Sequence, residues 1–327
     1  MGKTKKPSAA YFKNGVGNLV MMTPALQAFK TVHDGAPLHV FIDRETDTES
    51  HWEEDRKRAC SDILQALPFV ERVVEWPDPK VNPEDYQAWW ASPHGEKGAT
   101  WDLFMEHGAM DGIKPQDWFH KREHEVEHYL GAVMARFGWI LEAPPLVFPR
   151  GNGAWVDGKG PMIGLCNSHY HGDPVWKKRR WPHYAGLAES IIRFFGGTPV
   201  CLGGSEDRWW LDALDERGVE YKDHVGTESI IGTGDIIAGL DVLVTTDTAA
   251  MHIAAAHQIP TVFLCGPSSE AKNGPWRVRH ATVRGLVPCV GCRQRRNELW
   301  ECKEDYPAKC MASISEGMVM AAIRGLL

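Results

Sequence analysis

The sequence lacks any run approaching the ~18 apolar residues that a membrane-crossing helix needs. Its first residues, MGKTKKPSAAYF, are basic but carry no apolar core of the secretory-signal kind. Both absences predict a soluble, cytoplasmic protein, peripheral at most to the inner membrane face. An excess of positive charge is also missing. A formal net charge of -7 over 327 residues gives no bias toward nucleic acid or anionic bilayers. No Asp-x-Asp metal motif is present. Cysteine is sparse over most of the chain. Cys60, Cys166, Cys201 and Cys265 are scattered and the other four cluster near the C-terminus, which argues against a secreted disulfide scaffold.

What is present is an ordinary globular composition, 43% hydrophobic and 24% charged, at a length that suits two domains of about 150 residues. The fourteen Trp are read first as core packing and second as aromatic cleft surface. In the first half, a short strand (8–12) meets a glycine loop (13–18) and a helix (19–30), the opening of a Rossmann-like unit. Further strands are expected at 38–43, 71–76 and 101–108, and helices at 61–68 and 123–139. Residues 77–100 read as a long loop, and the Pro- and Gly-bearing stretch 142–160 as a linker. The second half repeats the alternation. Strands are expected at 161–168, 198–204, 241–247 and 261–266. Helices are expected at 181–196 with Pro182 at the start, at about 206–217, at 248–257 and at 314–327, with a region near 228–239 left unassigned. Alternation in both halves predicts an α/β fold with parallel sheets, whose ligands sit beyond the C-terminal strand ends.

Three segments at such strand ends carry candidate chemistry. In TTDTAAMHIAAA (245–256), Asp247 and Thr248 precede a helix whose free N–H groups suit an anion, and His252 lies one turn on. Simple N-capping explains the same residues. The loop HYHGDPVWKKRRWPHY (169–184) carries Lys177, Lys178, Arg179 and Arg180, either a phosphate clamp or a solvated charge run. In GGSEDR (203–208), Gly203 and Gly204 permit a tight turn, and Glu206 or Asp207 could accept hydrogen bonds from ribose hydroxyls or simply serve the helix start. A fourth feature is Cys289, Cys292, Cys302 and Cys310, spaced C-x2-C-x9-C-x7-C. Such a set can hold a structural Zn or another thiophilic metal, with reduced thiols or a disulfide as the other readings.

Four stretches resemble glycosyltransferase family 9, the ADP-heptose:lipopolysaccharide heptosyltransferase family. They are GVGNLVMMTPALQAFK (15–30), the WPHY segment with its basic residues, DVLVTTDTAAMHIAAAHQIPTVFLCGPSS (241–269) and the Cys-rich stretch 288–315. The Asp-Thr stretch is the most specific of the four. The resemblance implies a GT-B fold, two Rossmann-like domains with parallel sheets facing across a cleft. Residues 1–150 would bind the acceptor and 158–327 the nucleotide-sugar donor. It implies an inverting, metal-independent transferase that needs no cofactor for catalysis and acts on a glycan or lipid-linked glycan of the lipopolysaccharide type. Arg179 matches the family's phosphate-contacting lysine, and Lys178 stands beside it. Glu206, after Gly204, matches the ribose-contacting acid. Asp247, Thr248 and His252 match the donor-site motif, and Ala249 stands where many members have Gly. Asn18 stands where the family's general base is usually Asp, and an amide cannot take a proton near neutral pH. Another group must then act as base, with Glu106, Asp102 and His107 as candidates, or the donor phosphate takes the proton, or the chain is a catalytically impaired nucleotide-sugar-binding protein.

Overall fold

The computed structural model describes residues 5–12, 15–43, 51–76, 80–82, 85–91, 124–137, 142–153, 157–169, 174–292, 302, 304 and 306–327. Contacts divide the chain into two units, Met1–Pro149 and Arg150–Leu327. The expected strand at 101–108 lies outside the described residues. Among the described residues, no helix is long and apolar enough to cross a membrane.

The first unit is built on a parallel sheet of β1 (Ser8–Phe12), β2 (Leu38–Asp43), β3 (Arg72–Trp76) and β4 (Ala88–Ala91), in the order β3-β2-β1-β4. Strand β4 falls inside the stretch read as a loop. Its four residues, AWWA, are too few to show a periodicity of their own. Helix α1 (Val16–Val32) begins three residues earlier than expected, and α2 (His51–Ala66) ten residues earlier. Helix α3 (Glu125–Phe137) packs on α1. Pro24 lies inside α1 and cannot donate to the Val20 carbonyl. The Thr23 hydroxyl donates to that carbonyl instead, at 2.8 Å, and accepts from the Val147 N–H at 2.9 Å. The Thr-Pro pair thus keeps the helix satisfied and fastens the return segment to it.

The second unit carries a six-stranded parallel sheet. Its strands are β5 (Met162–Cys166), β6 (Thr198–Gly203), β7 (Lys222–Val225), β8 (Val242–Thr245), β9 (Thr261–Cys265) and β10 (His280–Arg284), ordered β10-β9-β8-β5-β6-β7. The inner strands β5, β8 and β9 are buried at every position, as parallel strands covered on both faces must be. The edge strands β7 (KDHV) and β10 (HATVR) are polar and largely exposed, so neither shows the apolar run that marks its neighbours.

Helix α4 (Tyr184–Phe195) is followed by Gly196 in the left-handed region, φ 59°, where its N–H reaches back to the Ile191 and Ile192 carbonyls. Pro182 precedes this helix rather than opening it, since His183 is the cap. The stretch expected as one helix at 206–217 is a 3-10 turn (Ser205–Trp210) and a short helical turn (Asp212–Asp215). Helices α5 (Ile230–Ala238), α6 (Ala249–Ala256) and α7 (Glu316–Leu326) follow, and the Ser315 hydroxyl caps α7 by accepting from the Met318 N–H.

His257 ends α6. Burial and the nearby Arg150 hold its pKa at about 4, below its ordinary 6.5, while Asp235 opposes them. The folded value is the lower one, so the unfolded chain binds the proton more readily. Its contribution to stability is complete above pH 6.5 and is lost as the pH falls toward 4. His257→Gln is expected to flatten this part of the melting-temperature profile; an unchanged slope between pH 6.5 and 4 would refute the assignment.

Candidate functional site

In the second unit the chain winds from β5 outward through β6 and β7, then returns to place β8 on the other side of β5. The gap beyond the C-terminal ends of β5 and β8 is therefore the topological switch point, where doubly wound sheets take their ligands. Asn167 leaves β5 and Thr246–Asp247–Thr248 leave β8 at this gap. The basic loop 169–180 starts there too. It is stapled down by Asn167, whose amide bonds the Trp181 backbone N–H and carbonyl at 3.1 and 3.2 Å. Trp181 is fully buried and donates its indole N–H to the Ile314 carbonyl at 2.9 Å, while Tyr184 donates to the Cys166 carbonyl at 2.8 Å.

This anchoring turns Arg179 inward. The last residue of a 3-10 turn (Pro174–Arg179), it is only 7% exposed and stacks on Trp176 at 4.1 Å. Its Nη1 donates to the Asp247 carbonyl at 2.7 Å, and Nη2 lies 3.0 Å from Asp247 Oδ2. Burial lowers the Arg179 pKa and Asp247 opposes that shift. The Ser268 hydroxyl, on the turn after β9, also donates to Asp247 Oδ2 at 2.7 Å. His252 Nε2 stands 3.8 Å from Oδ1, one helical turn along α6. Residues 68 positions apart in sequence thus meet in one buried cluster.

The cluster underlies the start of α6. Thr248 is the cap residue, but its hydroxyl pairs with the Thr245 hydroxyl at 2.9 Å and makes no cap hydrogen bond. The bland N-cap reading of Thr248 is therefore not what its side chain does. Among the described residues, three buried polar atoms without a hydrogen-bond partner fall at this corner, Arg179 Nε, Thr246 Oγ1 and His252 Nδ1, while Arg179 Nη2 is taken up by its ion pair with Asp247. Buried polar atoms are normally satisfied, so unsatisfied ones beside a helix start mark this corner as a candidate site for a polar ligand.

The rest of the basic loop is divided. Lys177 is exposed; Lys178 and Arg180 are half-buried. Lys178 Nζ donates to the Cys302 carbonyl. Arg180 lies 3.7 Å over the Trp209 ring and reaches His169 at 3.3 Å. After β6, Gly204 opens the next turn and its N–H donates to Asp207 Oδ2 at 3.0 Å. Of the two acids weighed there, Asp207 is buried and Glu206 is exposed. In the first unit, Asn18 lies half-buried in the first turn of α1, directly after β1 and so at that sheet's own switch point between β1 and β4. Glu106, Asp102 and His107 lie outside the described residues.

The eight cysteines form no disulfide. Cys289, Cys292, Cys302 and Cys310 line one cavity of about 250 Å³, together with Lys178, Pro267, Glu304 and Lys309. Burial pushes the Cys310 thiol up to about 12, and the other three thiols of the cavity push it the same way. Among the described residues, no three such side chains stand in metal-ligating geometry. The four thiols share a cavity without yet converging on one point. Sequence reasoning missed Ser268, Trp176 and the Asn167 staple. Only Ser268 carried a local signal, its place in the Gly-Pro-Ser turn after β9.

Residues 156–302 match the family described as glycosyltransferase family 9 (heptosyltransferase). Lipooligosaccharide heptosyltransferase 2 of Haemophilus influenzae is 33% identical over 179 residues, 52% of this chain and 48% of that protein. The chain thus spans about half the length of that curated relative. In fold, it resembles the solved structure of Escherichia coli ADP-heptose lps heptosyltransferase II, with a TM-score of 0.69, 18% identity and 98% of each chain covered. It also resembles the iron-containing dodecameric glycosyltransferase TibC of enterotoxigenic E. coli, with a TM-score of 0.66 and 14% identity over 99% of this chain and 76% of that one.

Proposed function

We propose, from the match of residues 156–302 to glycosyltransferase family 9 and from the fold, that the chain transfers a heptose-like sugar from an ADP-linked donor to a hydroxyl of a lipopolysaccharide-type glycan, with inversion. The observation that carries the reading is the set of unsatisfied buried atoms at the start of α6. A donor diphosphate placed there would accept from the N–H groups at the start of α6, at Ala249 and Ala250, and from Arg179 Nε. As the sugar–phosphate bond breaks, negative charge grows on the leaving diphosphate. Fixed donors in a buried setting stabilise that charge most strongly in the transition state. Arg179 and the helix start supply this without a catalytic metal. Asp247 keeps Arg179 aimed, and Glu206, exposed beyond Gly204, would accept from a ribose hydroxyl. The work is assigned to the cytoplasm, where nucleotide-sugars are made, with the acceptor reached at the inner membrane face.

The first unit is assigned to the acceptor. Asn18 orients its hydroxyl there but cannot deprotonate it. The proton then passes to Glu106, Asp102 or His107, or to the departing phosphate. The second reading, a nucleotide-sugar-binding protein without turnover, rests on Asn18 alone. Asn18→Ala separates the two. In a live transferase it is expected to lower acceptor turnover by about 10- to 100-fold, as loss of substrate positioning does, with donor affinity unchanged. Wild-type protein that binds donor yet shows neither transfer nor slow donor hydrolysis would favour the impaired reading.

The four clustered cysteines are assigned to a structural thiolate-bound metal, zinc or iron. The donor set is soft and fourfold, which suits either ion, and the fold neighbour TibC is iron-containing.

A thermal-shift screen against ADP, GDP, UDP and their sugars tests the donor assignment. A ligand that binds only the native state must raise the melting temperature. A shift with the adenine series is expected; no shift with any nucleotide would overturn the donor site.

A further inference from the structure

The basic loop that leaves β5 is held from both of that strand's neighbours. Strand β5 has β8 on one side and β6 on the other. Arg179 turns to the β8 side and meets Asp247. Arg180, the next residue, is tied to the β6 side. Its guanidinium lies 3.7 Å over the Trp209 ring. Its Nε and Nη2 stand 3.5 and 3.3 Å from Nδ1 and Nε2 of His169. His169 Nδ1 is in turn 3.8 Å from Asp207 Oδ1, and both of these side chains are buried. Asp207 and Trp209 belong to one 3-10 turn, Ser205–Trp210, directly after β6. That turn therefore takes hold of Arg180 twice, through a ring face and through a buried carboxylate behind an imidazole.

Capping the turn does not account for Asp207. Its Oδ2 accepts from the Gly204 N–H at 3.0 Å, and a carboxylate open to water would serve that bond as well. Asp207 is instead 1% exposed, and a buried carboxylate is unfavourable unless it is paired. Its Oδ1 faces the imidazole that Arg180 reaches, so His169 lies between the two charges. Burial lowers the Arg180 pKa, and Tyr306 and Asp207 oppose that shift. The turn that carries Asp207 is itself fixed. Arg208 donates to the Val225 carbonyl at 2.9 Å and pairs with Asp223 at 2.8 Å. A Cβ on Gly226, at φ 70°, would lie 2.6 Å from the Ser205 Cα, so the chain after β7 packs directly on the turn. Arg180 is thus moored to a rigid corner of the sheet.

From this geometry we propose that Asp207 and His169 are positioning residues of the donor site: they tether Arg180 to the turn after β6 and so hold Arg179, its chain neighbour, in the orientation that receives the nucleotide diphosphate. The inference rests on the donor reading given above. Neither residue touches the ligand; each acts through Arg180 and the single peptide link to Arg179. Asp247 fixes Arg179 on the β8 side and Asp207 fixes Arg180 on the β6 side, so two consecutive residues are anchored to opposite neighbours of β5. A loop held in that way keeps its guanidinium aimed before the ligand arrives, and donors fixed in advance stabilise a growing charge without reorganising.

Asp207→Asn separates the two roles of the residue, because an amide oxygen still accepts from Gly204 while the charge is gone. Affinities for ADP and adenosine are read by calorimetry on the full chain, with far-UV circular dichroism to confirm the fold. Asp207→Asn is expected to weaken ADP about tenfold and adenosine less than about twofold, as loss of one charge-assisted contact does. His169→Leu, which removes both ring nitrogens, should give the same pattern and carries the test if Asp207→Asn does not fold. Arg180→Met should also weaken ADP, and adding Asp207→Asn to it should weaken ADP no further, since a residue that acts through Arg180 has no other route. Unchanged ADP affinity in Asp207→Asn and His169→Leu would overturn the tether. Equal losses for ADP and adenosine would reduce both residues to general supports of the fold and overturn it as well. Fully additive losses in the double variant would overturn the route through Arg180. Wild-type protein that binds no ADP would instead overturn the donor reading on which the tether's role depends.

Discussion

Asp247→Ala is expected to unfold the second unit more readily and to abolish donor binding, and the two effects can be separated. Asp247 balances Arg179, which is buried to within 7% of full enclosure. Removing one member of a buried pair strands the other charge and costs about 3–5 kcal/mol, whereas replacing both with apolar groups is often close to neutral. The single variant should therefore melt on the order of 10 °C lower. The double variant Arg179→Met with Asp247→Leu should recover most of that loss while binding no ADP. Recovery of stability without ligand binding would show that the pair is kept for function. If the double variant binds ADP with normal affinity, the donor assignment fails. If the single variant melts as wild type, the charge pair is not the buried unit described here.

Arg179→Lys is expected to weaken ADP binding by about 10- to 100-fold while leaving adenosine binding within a factor of about two. Lysine keeps the charge but loses the planar fork, the stack on Trp176 and the second donor direction. A charge-assisted hydrogen bond in a buried setting is worth about 1.5–3 kcal/mol, which sets the size of the effect. Because the group acts on the diphosphate, the nucleoside serves as the internal control. Competition calorimetry with ADP, AMP and adenosine reads the difference directly. Equal losses for ADP and adenosine would mean that the substitution had disturbed the whole pocket, and would sink the phosphate role of Arg179.

Much of the architecture is legible in the sequence. The buried strands β5, β8 and β9 are uninterrupted apolar runs, and a parallel strand covered on both faces must be one. The Gly loop before α1, the Thr-Pro pair within it and the Asp-Thr step into α6 are local signals, because helix starts and prolines impose their chemistry within a few residues. The strands that escaped notice, β4, β7 and β10, are short or lie at sheet edges where polar residues face water. Pro182 was expected at the start of α4 and instead lies two residues before it, because capping depends on where Trp181 and Tyr184 are pinned, and those pins come from Asn167, Ile314 and Cys166.

The sequence by itself determined the alternation of elements, the inner strands and the candidate residue types at the strand ends. It could nominate Lys178, Arg179, Glu206, Asp247 and four cysteines, but not their partners. Tertiary structure alone decided that Arg179 turns inward to Asp247, that Asp207 is buried while Glu206 faces water, and that four thiols spread over 22 positions share a cavity with Lys178. Periodicity reports which face of an element is covered. Which distant residue covers it follows from strand order, and the order β10-β9-β8-β5-β6-β7 brings the β5 loop and the β8 end to the same point in space.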